Sequence, residues 1–354
     1  MSKLPAAAGR AVEISRRSVT AGLASLAFAR VRPARAQESR PWLDPKLLAA
    51  AKKEGPLTVY SSTNEQEGLP LFKIFEDATG IKFNYIRGND ASLTSRIAIE
   101  TRAKQPSFDI VHMSNAHKLP PQILAQFDPS EAKHVNPLAR DPDRRWYGVY
   151  TVYTTPAYNT KLVSKVELPQ SFEAFAQRKE WAGKVAIDHT DIEWLRGIMQ
   201  FYGEQKGTAL VREIAANLQP VLTDGRLAMA RSVAAGEYLF ALNNFVNLTL
   251  NVKLAGGAID FFPLDPVPLY FAQVAVSARA PNPNTARLAA NFMLSRDCQV
   301  FYTKFGRLPT RGDVETNPPG IIQQVETRKV VRTQFSHEEE KRLRQTFEAL
   351  LRRR

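Results

Sequence analysis

Residues 57–113 read as strand, helix, strand, helix, strand, and that order constrains the fold more tightly than any other feature of the chain. Leu57-Thr58-Val59-Tyr60 is a short β-prone run, and the small polar stretch Ser61-Ser62-Thr63-Asn64-Glu65 follows it. Apolar spacing from Leu69 to Ala78 then predicts a helix, Ile81 to Ile86 a strand, Leu93 to Lys104 a helix and Phe108 to Met113 a strand. Such alternation implies a parallel sheet covered by helices, joined by right-handed crossovers, with ligands gathering at the carboxyl ends of the strands.

A second alternating set follows the aromatic run Trp146-Tyr147-Gly148-Val149-Tyr150. It comprises a strand at Lys184 to Ile187, helices at 193–202 and 208–219, then a helix at Ala228 to Ala235 and a strand at Tyr238 to Leu242. Two modules are expected, and 354 residues at 44% hydrophobic composition can bury a core in each. Pro263-Leu264-Asp265-Pro266-Val267-Pro268 resists helix formation and reads as a crossing between them. Another helix is expected from Thr285. In the tail, Leu343, Phe347, Leu350 and Leu351 recur at helical spacing, which predicts a helix docked on the protein.

The net charge of +13 is unevenly placed. Residues 1–36 carry +6, with Ser15-Arg16-Arg17-Ser18-Val19, an apolar stretch to Ala29 and Ala34-Arg35-Ala36 before Gln37. That is the anatomy of a twin-arginine export signal, so the mature chain is expected to begin near Gln37 and to work in the periplasm. Residues 326–354 carry a further +4, which leaves +3 for the body. Neither part holds a nucleic-acid motif, and no apolar run reaches the roughly 18 residues of a membrane span. The single Cys298 excludes an intrachain disulfide and a cysteine-rich metal site. No nucleophile elbow, zinc-protease helix, P-loop or dinucleotide fingerprint is present, so no enzyme activity and no cofactor are expected.

Leu57 to Ser62, Phe72 to Gly80, Phe108-Asp109-Ile110-Val111, Tyr158-Asn159-Thr160, Trp181 to Val185, Tyr202-Gly203-Glu204, Ala234 to Glu237 and Gly306-Arg307-Leu308-Pro309 together resemble the bacterial extracellular solute-binding proteins of ABC importers, especially their ferric-ion-binding-like group. The resemblance spans nearly the whole mature chain. It implies an α/β, two-lobed type II periplasmic binding protein fold, each lobe a mixed or mostly parallel sheet flanked by helices, joined by crossing hinge strands. Residues 43–147 plus 269–305 are expected in lobe 1 and 159–256 plus 306–354 in lobe 2, with hinge crossings at 148–158 and 257–268. A solute in the interlobe cleft and a membrane permease as partner to a monomer are implied. A sensory module is the alternative use of the same fold.

Iron-binding members of that group typically place a histidine after the first strand and two tyrosines after an Asn-Asn pair. Here Ser61-Ser62-Thr63-Asn64-Glu65 lacks the histidine, and Phe245 and Val246 follow Asn243-Asn244 without oxygen ligands for a hard ferric ion. No metal site is expected, although ferric ion or a metal complex is retained as an alternative and His112, His117, His134 and His189 are available. The favoured cargo is a small anionic organic solute, a carboxylate, a phosphonate or a phosphate ester, with room for an aromatic component beside Tyr153, Phe245 and Tyr270. Ser61, Ser62, Thr63, Asn64, Ser114 and Asn115 lie at strand-to-helix junctions where amides and side chains can surround oxygen atoms. Asp188-His189-Thr190-Asp191 offers the equivalent loop in the other lobe, with helix capping as its competing role. Arg87 and Arg231 are the candidate partners for an acidic group. Asn243, Asn244, Asp265, Tyr153 and Tyr270 are expected to complete the cleft.

Overall fold

Leu57–Ser61 (β1) is the hub of the first sheet, pairing in parallel with Phe83–Arg87 (β2) on one side and Ile110–Met113 (β3) on the other. The computed structural model describes residues 40–105, 107–333 and 335–352, so the expected export signal at 1–36 lies outside the described residues. The β1–β2 crossover is the helix Glu65–Thr79, which starts four residues earlier than its apolar spacing suggests because Asn64 Oδ1 accepts the Glu67 N–H at 3.0 Å. Gly80, at φ 75°, ends it in the left-handed conformation that glycine adopts without steric cost. Likewise Asn89 caps the helix Asp90–Arg102, advancing it to Asp90.

The next strand, Trp146–Asn159 (β4), is buried along its whole length and belongs to both halves of the molecule. Its first part, Trp146 to Tyr153, pairs antiparallel with Val267–Val276 (β9), which in turn pairs antiparallel with β3. Its last part pairs antiparallel with Phe240–Phe245 (β7) and Ile259–Phe261 (β8). Val185–Asp188 (β5) lies between β7 and Val221–Thr223 (β6), parallel to both. The order is therefore β2-β1-β3-β9-β4 in one sheet and β4-β7-β5-β6 in the other, with β4 common to both. Strand β6 was not anticipated from the sequence.

Residues 306–354, expected with the second lobe, divide between the two. Leu308–Pro309 (β10) pairs with β4 and Val330–Arg332 (β11) with β9, both in the first sheet. The helix His337–Leu351 joins the second core, burying Leu343, Phe347, Leu350 and Leu351 beside Trp194 as its spacing predicts, and Phe335 just before it packs against the same core. The first core centres on Trp42, Phe72, Phe75 and Phe292, and the second on Phe172, Phe175, Trp181, Trp194 and Phe240. Full burial of each such side chain contributes about 1.5–3 kcal/mol, so each sheet holds a substantial core of its own.

Candidate functional site

The β1 loop is built on a buried polar cluster. Ser61 Oγ accepts the Thr63 N–H at 3.1 Å and lies 3.3 Å from His112 Nδ1, while Thr63 Oγ1 is 3.4 Å from the same nitrogen. The Tyr85 hydroxyl donates to the Thr63 carbonyl at 2.8 Å, an approach open only because residue 68 is glycine, where a Cβ would stand 2.1 Å from that hydroxyl oxygen. Burial, with Arg307 nearby, pushes the His112 imidazole down to about 3 and keeps it neutral. Ser61 and Thr63 are thus committed to holding the loop, and Asn64 to its helix. Ser62, half-buried, is the member of the run that reaches outward.

Ser62 meets Asp90, the first residue of the helix Asp90–Arg102. Burial raises the Asp90 carboxyl, and hydrogen bonds from the Ser62 hydroxyl and from the Ser114 backbone and hydroxyl pull it partly back. Its Oδ1 is buried without a partner. Asn115, beside Ser114, has an unpartnered buried Oδ1 as well. Lys118, three residues on, lies within electrostatic reach of Asp90 and bridges to Glu340 at 2.7 Å. Arg87, expected here, is exposed at the end of β2.

In the second sheet, Asp188 at the end of β5 accepts from Thr190 N–H at 2.9 Å, Thr190 Oγ1–H at 2.6 Å and Gly225 N–H at 3.3 Å. Asn243 fastens the Asp188 backbone through reciprocal bonds of 2.9 Å, and the Asn244 amide donates to Thr249 Oγ1 at 2.8 Å. His189 is half-buried in the same loop. Asp191 caps the helix Ile192–Tyr202 by accepting the Trp194 N–H, yet keeps Oδ2 buried and unpartnered. Burial raises its carboxyl, and also that of Glu193, against the opposing pull of Arg226.

Arg226, the first residue of the helix after β6, is the arginine at this loop, 3.1 Å from Asp191 and 3.7 Å from Asp188. Its guanidinium lies 4.0 Å from the Phe245 ring centroid, and its Nε is buried without a partner. Arg231, the expected candidate, is exposed more than a turn along that helix. The Phe245 ring meets Tyr270 edge-on at 5.5 Å. Because Thr154 pairs with Phe245 and Val152 with Tyr270, that face of β4 carries Val152 and Thr154. Tyr153 therefore points to the other side, where its hydroxyl donates to Glu326 at 2.8 Å. Asp265 is also turned to a structural task, accepting the Lys329 N–H at 2.6 Å.

Tyr270 is the meeting point: burial lifts its phenol well above the usual range, and Arg226, Glu193, Asp191 and Asp90 all act on it. The structure thus brings together Ser62, Ser114 with its neighbour Asn115, Asp188, Asp191 and Tyr270 from the expected set. It adds Asp90, Lys118, Thr154, Glu193 and Arg226. Only recognition of β6 could have marked Arg226, since a short strand followed by Gly225 and a helix start is a ligand-facing junction. The anion expected from Arg87 and Arg231 meets a different charge pattern, in which the nearby arginine is already paired. Among the described residues, no three His, Cys, Asp or Glu side chains are grouped to hold a metal.

Two helix-flanked sheets sharing a long strand, with polar loops converging at strand ends, define a two-lobed binding protein. The family model for bacterial extracellular solute-binding proteins matches residues 71–327, and the chain belongs to that family. Iron-bound HitA from Pseudomonas aeruginosa superposes with a TM-score of 0.70 at 19% identity, over 84% of this chain and 99% of that one. The periplasmic binding protein AfuA from Actinobacillus pleuropneumoniae, with exogenous fructose-6-phosphate bound, gives 0.70 at 20% identity, over 84% and 98%. An ABC transporter substrate-binding protein from Agrobacterium tumefaciens gives 0.72 at 16% identity, over 86% and 97%. The fold is the type II periplasmic binding protein fold, and the family is one of solute binders rather than an enzyme class.

Proposed function

We propose that this chain is the periplasmic solute-binding component of an ABC importer, capturing a small polar organic solute between its lobes and presenting it to a membrane permease. The observation that carries this reading is the set of buried, unpartnered polar atoms supplied from both sides: Asp90 Oδ1 from the first lobe, and Asp191 Oδ2 and Arg226 Nε from the second. Buried polar groups left without partners cost about 1–3 kcal/mol each, and a solute that pairs them recovers that free energy. Phe245 and Tyr270 provide an apolar floor, as small-molecule sites generally do. Segments 148–158 and 257–268 are the hinge in this reading, since β4 serves both sheets. The neighbouring structures hold iron in one case and a sugar phosphate in another. Phe245 and Val246 supply no oxygen for iron, which favours the organic cargo.

Native mass spectrometry of gently purified protein, with metal analysis of the same sample, tests the proposal. The expected result is a bound organic mass, or stabilisation by members of a solute panel that grows with concentration. Stoichiometric iron that survives purification and rebinds after removal would refute it.

A further inference from the structure

We infer that the interlobe site selects a solute carrying a protonated amino group together with an oxygen acceptor; the inference rests on the solute-binding reading above. Asp188 and Asp191 lie 3.7 and 3.1 Å from Arg226, Asp90, Asp191 and Glu193 all act on the buried Tyr270, and Lys118 is the cation that acts on both Asp90 and Glu193. Asp188 is saturated by Thr190 and Gly225. Arg226 is bound to Asp191 through one oxygen only, leaving Oδ2 unmet. Lys118 is shared with Glu340 at 2.7 Å, so Asp90 and Glu193 have no cation to themselves at this site. Asp90 Oδ1 and Asp191 Oδ2 are thus left as buried acceptors without a donor, and an ammonium brings three donors where a carboxylate or phosphate brings only further acceptors.

Two observations independent of the acidic groups agree. Thr154 is 1% exposed, shares the strand face of Phe245 and Tyr270, and has an unpartnered Oγ1. The Phe245 ring already carries a cation, the Arg226 guanidinium at 4.0 Å, with the Tyr270 ring beside it. Aromatic rings next to carboxylates are a favourable surround for an ammonium. Arg226 Nε–H supplies the donor for the oxygen at the other end of the solute.

A matched four-carbon set measured by calorimetry tests this: 1,4-diaminobutane, 4-aminobutanoate, butanedioate and butane-1,2,3,4-tetrol, with ferric ion as a separate arm. 4-Aminobutanoate should bind tightest, at least tenfold tighter than butanedioate or the tetrol. Asp90→Asn and Glu193→Gln should each weaken it by about tenfold or more while the unliganded melting temperature shows that both variants fold. Tightest binding by 1,4-diaminobutane, butanedioate or the tetrol, silence from all four, or 4-aminobutanoate affinity unchanged in either variant overturns the proposal. Ferric ion bound stoichiometrically while all four are silent overturns the organic-solute reading itself.

Discussion

Replacing His112 by glutamine should change how stability depends on pH, and the size of the change follows from its surroundings. The imidazole is 1% exposed, with Nδ1 near Ser61 Oγ and Thr63 Oγ1, and burial lowers its titration from 6.5 to about 3. In the unfolded chain the ring takes up a proton near 6.5, while the folded ring stays neutral until about 3. Unfolding is therefore accompanied by proton uptake across that window, and stability is lost as the pH falls through it. At 1.36 kcal/mol per unit, the loss from this one group amounts to about 2 kcal/mol by pH 5. His117, lowered to about 4, adds a loss of the same sign, while the raised Asp90, Asp191 and Glu193 carboxyls oppose both. Those contributions are common to both proteins and cancel in the difference. Urea unfolding of the wild type and His112→Gln at pH 7 and pH 5 should show the stability gap between them narrowing by about 2 kcal/mol on acidification. A gap that stays constant would refute the claim that His112 is held neutral.

Phe347→Ala removes a fully buried ring 5.9 Å from Trp194 and should cost about 3–5 kcal/mol in denaturant unfolding, which measures how firmly the terminal helix is docked. Arg307 holds Glu67 through paired bonds of 3.0 and 3.1 Å, both side chains being largely buried. Arg307→Met should cost about 3–5 kcal/mol by stranding the carboxylate, and the double change Arg307→Met with Glu67→Leu should recover most of that loss in the same unfolding assay.

The alternating architecture was legible because periodicity reports burial, and burial is what a sheet covered by helices imposes on its strands and on the helix faces above them. Element starts were less legible. Asn64 and Asn89 begin their helices with a side-chain hydrogen bond before any apolar residue marks the helix face, so spacing alone places both starts too late. β6 was invisible for a related reason: Val221–Thr223 is three residues long, at the end of the sheet order and partly exposed, so it carries almost no alternation. The tail divides because β10 and β11 are short strands whose pairing partners, β4 and β9, lie far away in sequence.

The consequences for the site are larger than those for the fold. Missing β6 hid the junction that presents Arg226 and turned attention to Arg231, which the same helix carries to solvent. On β4 the error is one of parity: a single residue separates Tyr153, bonded to Glu326, from Thr154, on the face of Phe245 and Tyr270. A sequence reading favours the larger aromatic residue, whereas the pleat puts the small hydroxyl there. The anion expected from the sequence rests on Arg87 and Arg231, both exposed, whereas binding depends on which charges remain unpaired after folding. Arg226 is paired with Asp191 and Lys118 with Glu340, while Asp90 Oδ1, Asp191 Oδ2 and Arg226 Nε keep no partner. What a cleft attracts is therefore set by the acceptors and donors its own contacts leave unmet, and here the unmet acceptors include two carboxylate oxygens.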